Sequence, residues 1–158
     1  MSAAEEQPHE LSLDLPAAHS AGRMARQLLR QFALREGLPE AEVERMEFVA
    51  GELLDNAVDH GGGGAAMDEE DLTEDVRMSV LARVAGGGWS VEVMDQGGAD
   101  LEAVRELLAP RDGAPDLEDE RGRGFFLIRE MVDELAVAKS PDGLGLSFRV
   151  RRRYDGAR

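Results

Sequence analysis

No cysteine occurs in the 158 residues, which excludes disulfides, thiolate metal sites and cysteine nucleophiles and fits a reducing compartment. Missing too is any uncharged apolar run of membrane-spanning length. The opening MSAAEEQPHE is acidic where an export signal would be basic and then apolar. A cytoplasmic protein with no membrane contact is therefore expected. Positive charge is scarce: 18 Lys and Arg stand against 33 Asp and Glu, for a formal net charge of −15. A field of that sign repels a phosphate backbone, so no direct nucleic-acid partner is expected. Internal repeats and low-complexity tracts are absent, and no glycine run ends in the GK[ST] of a P-loop.

What is there reads as one domain. A chain of this length buries roughly 70% of the surface it exposes when unfolded and needs no staples. Residues 1–9 read as a flexible leader and 10–154 as the domain. From Glu10 to Leu15 leucines alternate, the mark of a first strand. Ala21, Met24, Ala25, Leu28, Leu29 and Phe32 then recur at helical spacing, and Gly37 with Pro39 ends that helix. A second helix is predicted over Glu40 to His60, with a broad apolar arc from Val43 to Val58. Two strands follow across Gly86 to Gly88, one from Val76 with Met78, Val80, Ala82 and Val84 inward, the next with Trp89, Val91 and Val93 inward. A short helix at Leu101 to Leu108 precedes a helix introduced by Gly122 and Gly124. Strands at Leu135 to Lys139 and Leu144 to Arg152 close the chain, with Leu144, Leu146, Phe148 and Val150 inward. Acidic, aperiodic stretches interrupt this order at about 65–75, read as a loop, and at about 109–123, read as a lid. The order β-α-α-β-β-(α)-α-β-β predicts an α+β fold: a two-layer α/β sandwich with a mixed, mostly antiparallel sheet and helices on one face.

The chemistry gathers around GELLDNAVDHG, Gly51 to Gly61. Four-residue spacing places Glu52, Asn56 and His60 on one face of the second helix. A carboxylate can serve as general base, and a carboxamide oxygen suits a magnesium ion that also holds nucleotide phosphates. His60 reads as a helix C-terminal residue interacting with the dipole rather than a ligand. Counting by two along the Trp89 strand puts Asp95 on the core side, followed by Gly97 and Gly98. A buried carboxylate there can accept from an amine-bearing ring such as adenine, or it can cap the turn that follows; both readings stand on this feature alone. The glycines of RGRGFF, Arg121 to Phe126, offer backbone N–H groups and a helix dipole to an anion, with Arg121 as added positive charge. Alone, such a run is equally a plain glycine-rich loop.

Taken together, ELLDNAVDHG, MDQGG and RGRGFFLI resemble the N box and the two glycine boxes of the GHKL superfamily of ATPases and kinases, whose domain is the Bergerat fold. Over nearly the whole chain the likeness is to the bacterial anti-sigma factor serine kinases of the RsbW type. The resemblance implies ATP and magnesium as cofactors, Glu52 as the base that activates a substrate serine and Asn56 as the magnesium ligand. It further implies that Asp95 binds the adenine amino group, that Gly97 lines the adenine pocket, and that Arg121, Gly122 and Gly124 serve the lid hinge and phosphate contacts. The implied partners are a sigma factor and an anti-anti-sigma (STAS-type) protein, held in turn by a homodimer. A catalytically weak interaction module on the same fold is the alternative. Two positions depart from the family pattern: Ala99 replaces the second glycine of the first glycine box, and Gly143 is followed by Leu144 where the family commonly has Gly-Thr.

Overall fold

The computed structural model describes residues 9–61, 76–97, 100–108 and 120–154, leaving out the side chains of residues 60, 61 and 120–122. The acidic stretch 65–75, the lid residues 109–119, Gly98, Ala99 and leader residues 1–8 lie outside the described residues.

The elements run β1 (His9–Pro16), α1 (His19–Arg35), α2 (Glu40–Gly61), β2 (Arg77–Ala85), β3 (Gly88–Met94), α3 (Leu101–Leu108), α4 (Glu120–Met131), β4 (Glu134–Lys139) and β5 (Leu146–Arg153). They form one five-stranded sheet of order β1-β2-β3-β5-β4. Each neighbouring pair is antiparallel, so the sheet that the sequence predicted as mixed has no parallel pairing among the described residues. β3 and β5 lie side by side, which brings the end of β3 against the start of β5 although two helices and a strand separate them in sequence.

Alternation decides which face is covered. In β3, Trp89, Val91 and Val93 are buried while Ser90, Glu92 and Met94 are half-buried. All eight apolar residues of the α2 arc, Val43, Met46, Val49, Ala50, Leu53, Leu54, Ala57 and Val58, are 0–1% exposed. That helix packs against α1, α4 and the central strands. Its N-terminal end is fixed by a buried polar cluster: Glu42 Oε1 accepts from Trp89 Nε1 at 3.0 Å and from Arg152 Nε at 3.1 Å, and Arg45 pairs with Oε2. Burial pushes the Glu42 carboxyl up, but hydrogen bonds from Arg152 and Trp89 and the charges of Arg45 and Arg152 outweigh it and hold the group below its ordinary range. The α4 helix is pinned to the sheet by Phe125, stacked on Phe148 with ring centroids 5.7 Å apart.

Three expectations are corrected. Met24 is 53% exposed, because the α1 seam consists of Ala21, Gly22, Ala25, Leu29 and Ala33 and leaves Met24 outside it. Leu144 is 58% exposed rather than inward. It belongs to a turn knotted by Ser140 and Asp142, with the Leu144 N–H donating to Asp142 Oδ1 at 2.9 Å, and strand alternation begins only at Leu146. Finally, α4 starts at Glu120, so Gly122 lies inside its first turn and Gly124 at the start of the second, instead of introducing the helix.

Candidate functional site

Asp95 leaves the end of β3 on the core side, as the count along the strand requires, and is 3% exposed. Its Oδ1 accepts the Gly97 N–H at 3.2 Å and the Leu146 N–H at 3.0 Å. The Asp95 N–H donates to the Leu146 carbonyl at 2.9 Å. One carboxylate oxygen therefore does the turn-capping work that the sequence allowed, and in doing so locks the group into the β3–β5 junction.

The third wall of this junction is a residue the sequence reading passed over. A Cβ added at Gly145 would come within 2.2 Å of the Asp95 carbonyl oxygen and 2.4 Å of its Oδ1. No side chain fits in that space, so Gly145 is a glycine because Asp95 is there. The pair set against Asp95 is thus Gly145–Leu146, not Gly143–Leu144 as the motif comparison assumed. Leu146 is 0% exposed and brings no hydroxyl to the junction. The turn holds Gly145 in place through the Gly145 N–H donating to Ser140 Oγ at 3.1 Å and the Ser140 N–H donating to the Gly145 carbonyl at 2.9 Å.

On α2, Asn56 is 8% exposed, and neither its Oδ1 nor its Nδ2 has a hydrogen-bond partner among the described residues. A buried carboxamide left without partners costs about 1–3 kcal/mol, so the fold carries this group against its own stability. An oxygen held in reserve is what a magnesium ion shared with phosphates requires of a protein, and Asn56 fits that role.

Glu52, one turn earlier, is half-buried against α4: a Cβ added at Gly124 would lie 3.0 Å from its Oε2. Burial first, and then the negative charge of Asp55, raise its carboxyl above the ordinary range; Arg26 from α1 and Arg123 from α4 pull it back in part. A carboxylate tuned upward sits closer to neutral pH, where a general base works best. The backbones of Arg121 and Gly122 lie in the first turn of α4, the end of a helix whose N–H groups favour an anion; the side chain of Arg121, like that of His60 near the end of α2, is outside the description.

The structure thus brings Glu52 against Gly124, and Asp95 together with Gly97. α2, which carries Glu52 and Asn56, packs on both α4 and β3. Gly145, Gly51, Arg26 and Asp55 join the site without having been read from the sequence. For Gly51 there was a signal, a glycine in the interior of an otherwise strong helix, which is costly unless something packs on it.

The chain matches the family described as a histidine kinase-like ATPase domain over residues 15–150. It is 30% identical over 147 residues to the serine-protein kinase RsbW of Halalkalibacterium halodurans, covering 90% of this chain and 83% of that one. To the serine-protein kinase RsbW of Listeria monocytogenes it is 28% identical over 131 residues, covering 81% and 78%. Among solved structures, the SiaB–SiaC complex from Pseudomonas aeruginosa matches with a TM-score of 0.65 at 19% identity, over 94% of this chain and 92% of that one.

Proposed function

Since the chain belongs to the histidine kinase-like ATPase domain family, of the GHKL type, we propose that it is an ATP- and magnesium-dependent protein serine kinase that doubles as an anti-sigma factor. In this reading a cytoplasmic homodimer sequesters a sigma factor and, on release, phosphorylates a serine of an anti-anti-sigma protein. The kinase names of its relatives support the reaction class, and the two-protein complex formed by its structural neighbour supports a partner-binding role.

In this reading each site residue has one role, which the geometry supports. The Asp95 carboxylate, fixed by Gly97, Leu146 and the space at Gly145, accepts a hydrogen bond from the adenine amino group. Backbone N–H groups at the start of α4, with Arg121, hold the phosphates. Asn56 Oδ1 would hold the magnesium ion, which would neutralise charge on the phosphates. Glu52 takes the proton of the serine hydroxyl as its oxygen attacks the γ-phosphorus, and ADP leaves on the far side.

The single observation that carries this reading is the orphaned carboxamide of Asn56, buried one helical turn from a carboxylate raised toward neutrality. Leu146, apolar where a hydroxyl would assist adenine binding, favours the second reading: a binding module of the same fold with weak nucleotide affinity. Calorimetry with ATP and magnesium separates them. Saturable binding that Asp95→Ala abolishes supports the kinase, and no binding supports the module.

A further inference from the structure

The seam between α1 and α2 is laced by charge along most of its length. His19 Nε2 meets Asp59 Oδ1 at 2.9 Å with Asp55 3.5 Å from its Nδ1, and Arg30 Nη1 donates to Glu47 Oε2 at 3.0 Å. Between those rungs lies Arg26, one turn from Arg30, and opposite it α2 carries Gly51, one turn from Glu47. Here the α2 residue opposite the cation is a glycine rather than an acid. A Cβ added at Gly51 would stand 2.8 Å from Arg26 Nε, 3.0 Å from Cδ and 3.2 Å from Cζ, so the end of the arginine side chain occupies the space over the helix backbone that a side chain at position 51 would take. Among the described residues no hydrogen bond or ion pair holds Arg26.

A glycine in a helix interior is unfavourable by about 1 kcal/mol relative to alanine. Its use here needs a reason, and the reason is next in sequence, since the residue that follows Gly51 is Glu52. The charged groups acting on Glu52 are Asp55 on its own helix, which has His19 of α1 beside it, Arg123 from α4 and Arg26 from α1. Burial and Asp55 both work against an ionised Glu52, whereas a base must be ionised to accept a proton. Arg123 comes from the turn that carries the second glycine box; Arg26 comes from a helix seam independent of it.

We propose that Arg26 is a positioning residue for Glu52: laid across Gly51, its guanidinium supplies the cation that keeps the carboxylate charged and ready to accept the serine proton, and Gly51 is glycine to leave it room. This rests on Glu52 acting as the general base. Because Arg26 is flexible while Gly51 is backbone, adding a methyl at position 51 displaces the cation and spares the fold.

The test is a titration of the whole chain with carbon-13 in its glutamate carboxyls, with the Glu52 resonance assigned from Glu52→Gln. Arg26→Gln and Gly51→Ala each move the Glu52 midpoint to higher pH, and Arg26→Lys restores it in large part. An unmoved midpoint in both Arg26→Gln and Gly51→Ala overturns the proposal, whatever the activity. If the midpoint moves as stated but Glu52→Gln phosphorylates a serine as fast as the parent, the coupling stands and the base assignment fails. Where a serine substrate is at hand, the acid limb of the rate profile shifts upward in Arg26→Gln with ATP affinity unchanged, which a merely structural arginine does not produce.

Discussion

Gly145 and Asp95 touch so closely that a Cβ on the first would sit 2.2 Å from the carbonyl oxygen of the second. The obstacle is backbone, which cannot rotate away. Gly145→Ala therefore forces β5 from β3 at the point where Asp95 is held. Expected are a loss of roughly 1–3 kcal/mol in denaturant unfolding, the range for overpacking, and a loss of ATP binding by calorimetry. An alanine variant with parental stability and affinity would remove Gly145 from the site.

Asp95→Asn separates the two tasks of this carboxylate. An asparagine keeps an acceptor for the Gly97 and Leu146 N–H groups, so the fold persists. The other carboxylate oxygen becomes an Nδ2 donor, which cannot accept from the adenine amine, so that bond is lost and ATP affinity falls by about 1.4 kcal/mol or more, at least roughly tenfold. Unchanged affinity would mean that adenine does not sit at Asp95.

Asn56→Ala behaves in the opposite way to most core substitutions. The parent carboxamide is buried without partners among the described residues, so its removal relieves a desolvation cost of about 1–3 kcal/mol and leaves the thermal midpoint unchanged or higher. Magnesium-dependent ATP binding is lost at the same time. A clear drop in stability would show that Asn56 is a structural residue.

How much of this was legible in the sequence depended on distance along the chain. Helical spacing fixed every buried position of the α2 arc, and period-two counting put Asp95 on the core side, because both are local rules. The strand order was open, since pairing β3 with β5 across two helices leaves no periodic mark. For the same reason Arg26 beside Gly51, and Gly145 beside Asp95, could not be read: each is a contact between elements far apart in sequence, and the glycines announced only that something lay near them. Leu144 misled because its alternation with Leu146 continues into a turn held by side-chain bonds.

Glu42 ties the α2 start to the sheet through Trp89 and Arg152, and its carboxyl is held below the ordinary range in the folded state. Such a group stabilises the fold above its unfolded pKa, and that contribution is lost as pH falls through the lower, folded value. Trp89 is the sole tryptophan, so its emission reports unfolding in this region directly. Glu42→Gln should cost about 3 kcal/mol at neutral pH by leaving Arg152 partly buried without its partner, and should flatten the acid dependence. A parental acid profile in that variant would shift the effect to other carboxylates.

The central claim, ATP-dependent transfer to serine with Glu52 as base, is tested most directly by single-turnover phosphorylation of a small anti-anti-sigma protein from ATP and magnesium, comparing the parent with Glu52→Gln. The account predicts phosphoserine on the partner, a rate lower by about 100-fold or more in the variant, and equal ATP affinity in both. Undiminished transfer by Glu52→Gln, or no phosphoserine from a parent chain that binds both ATP and the partner, would contradict it.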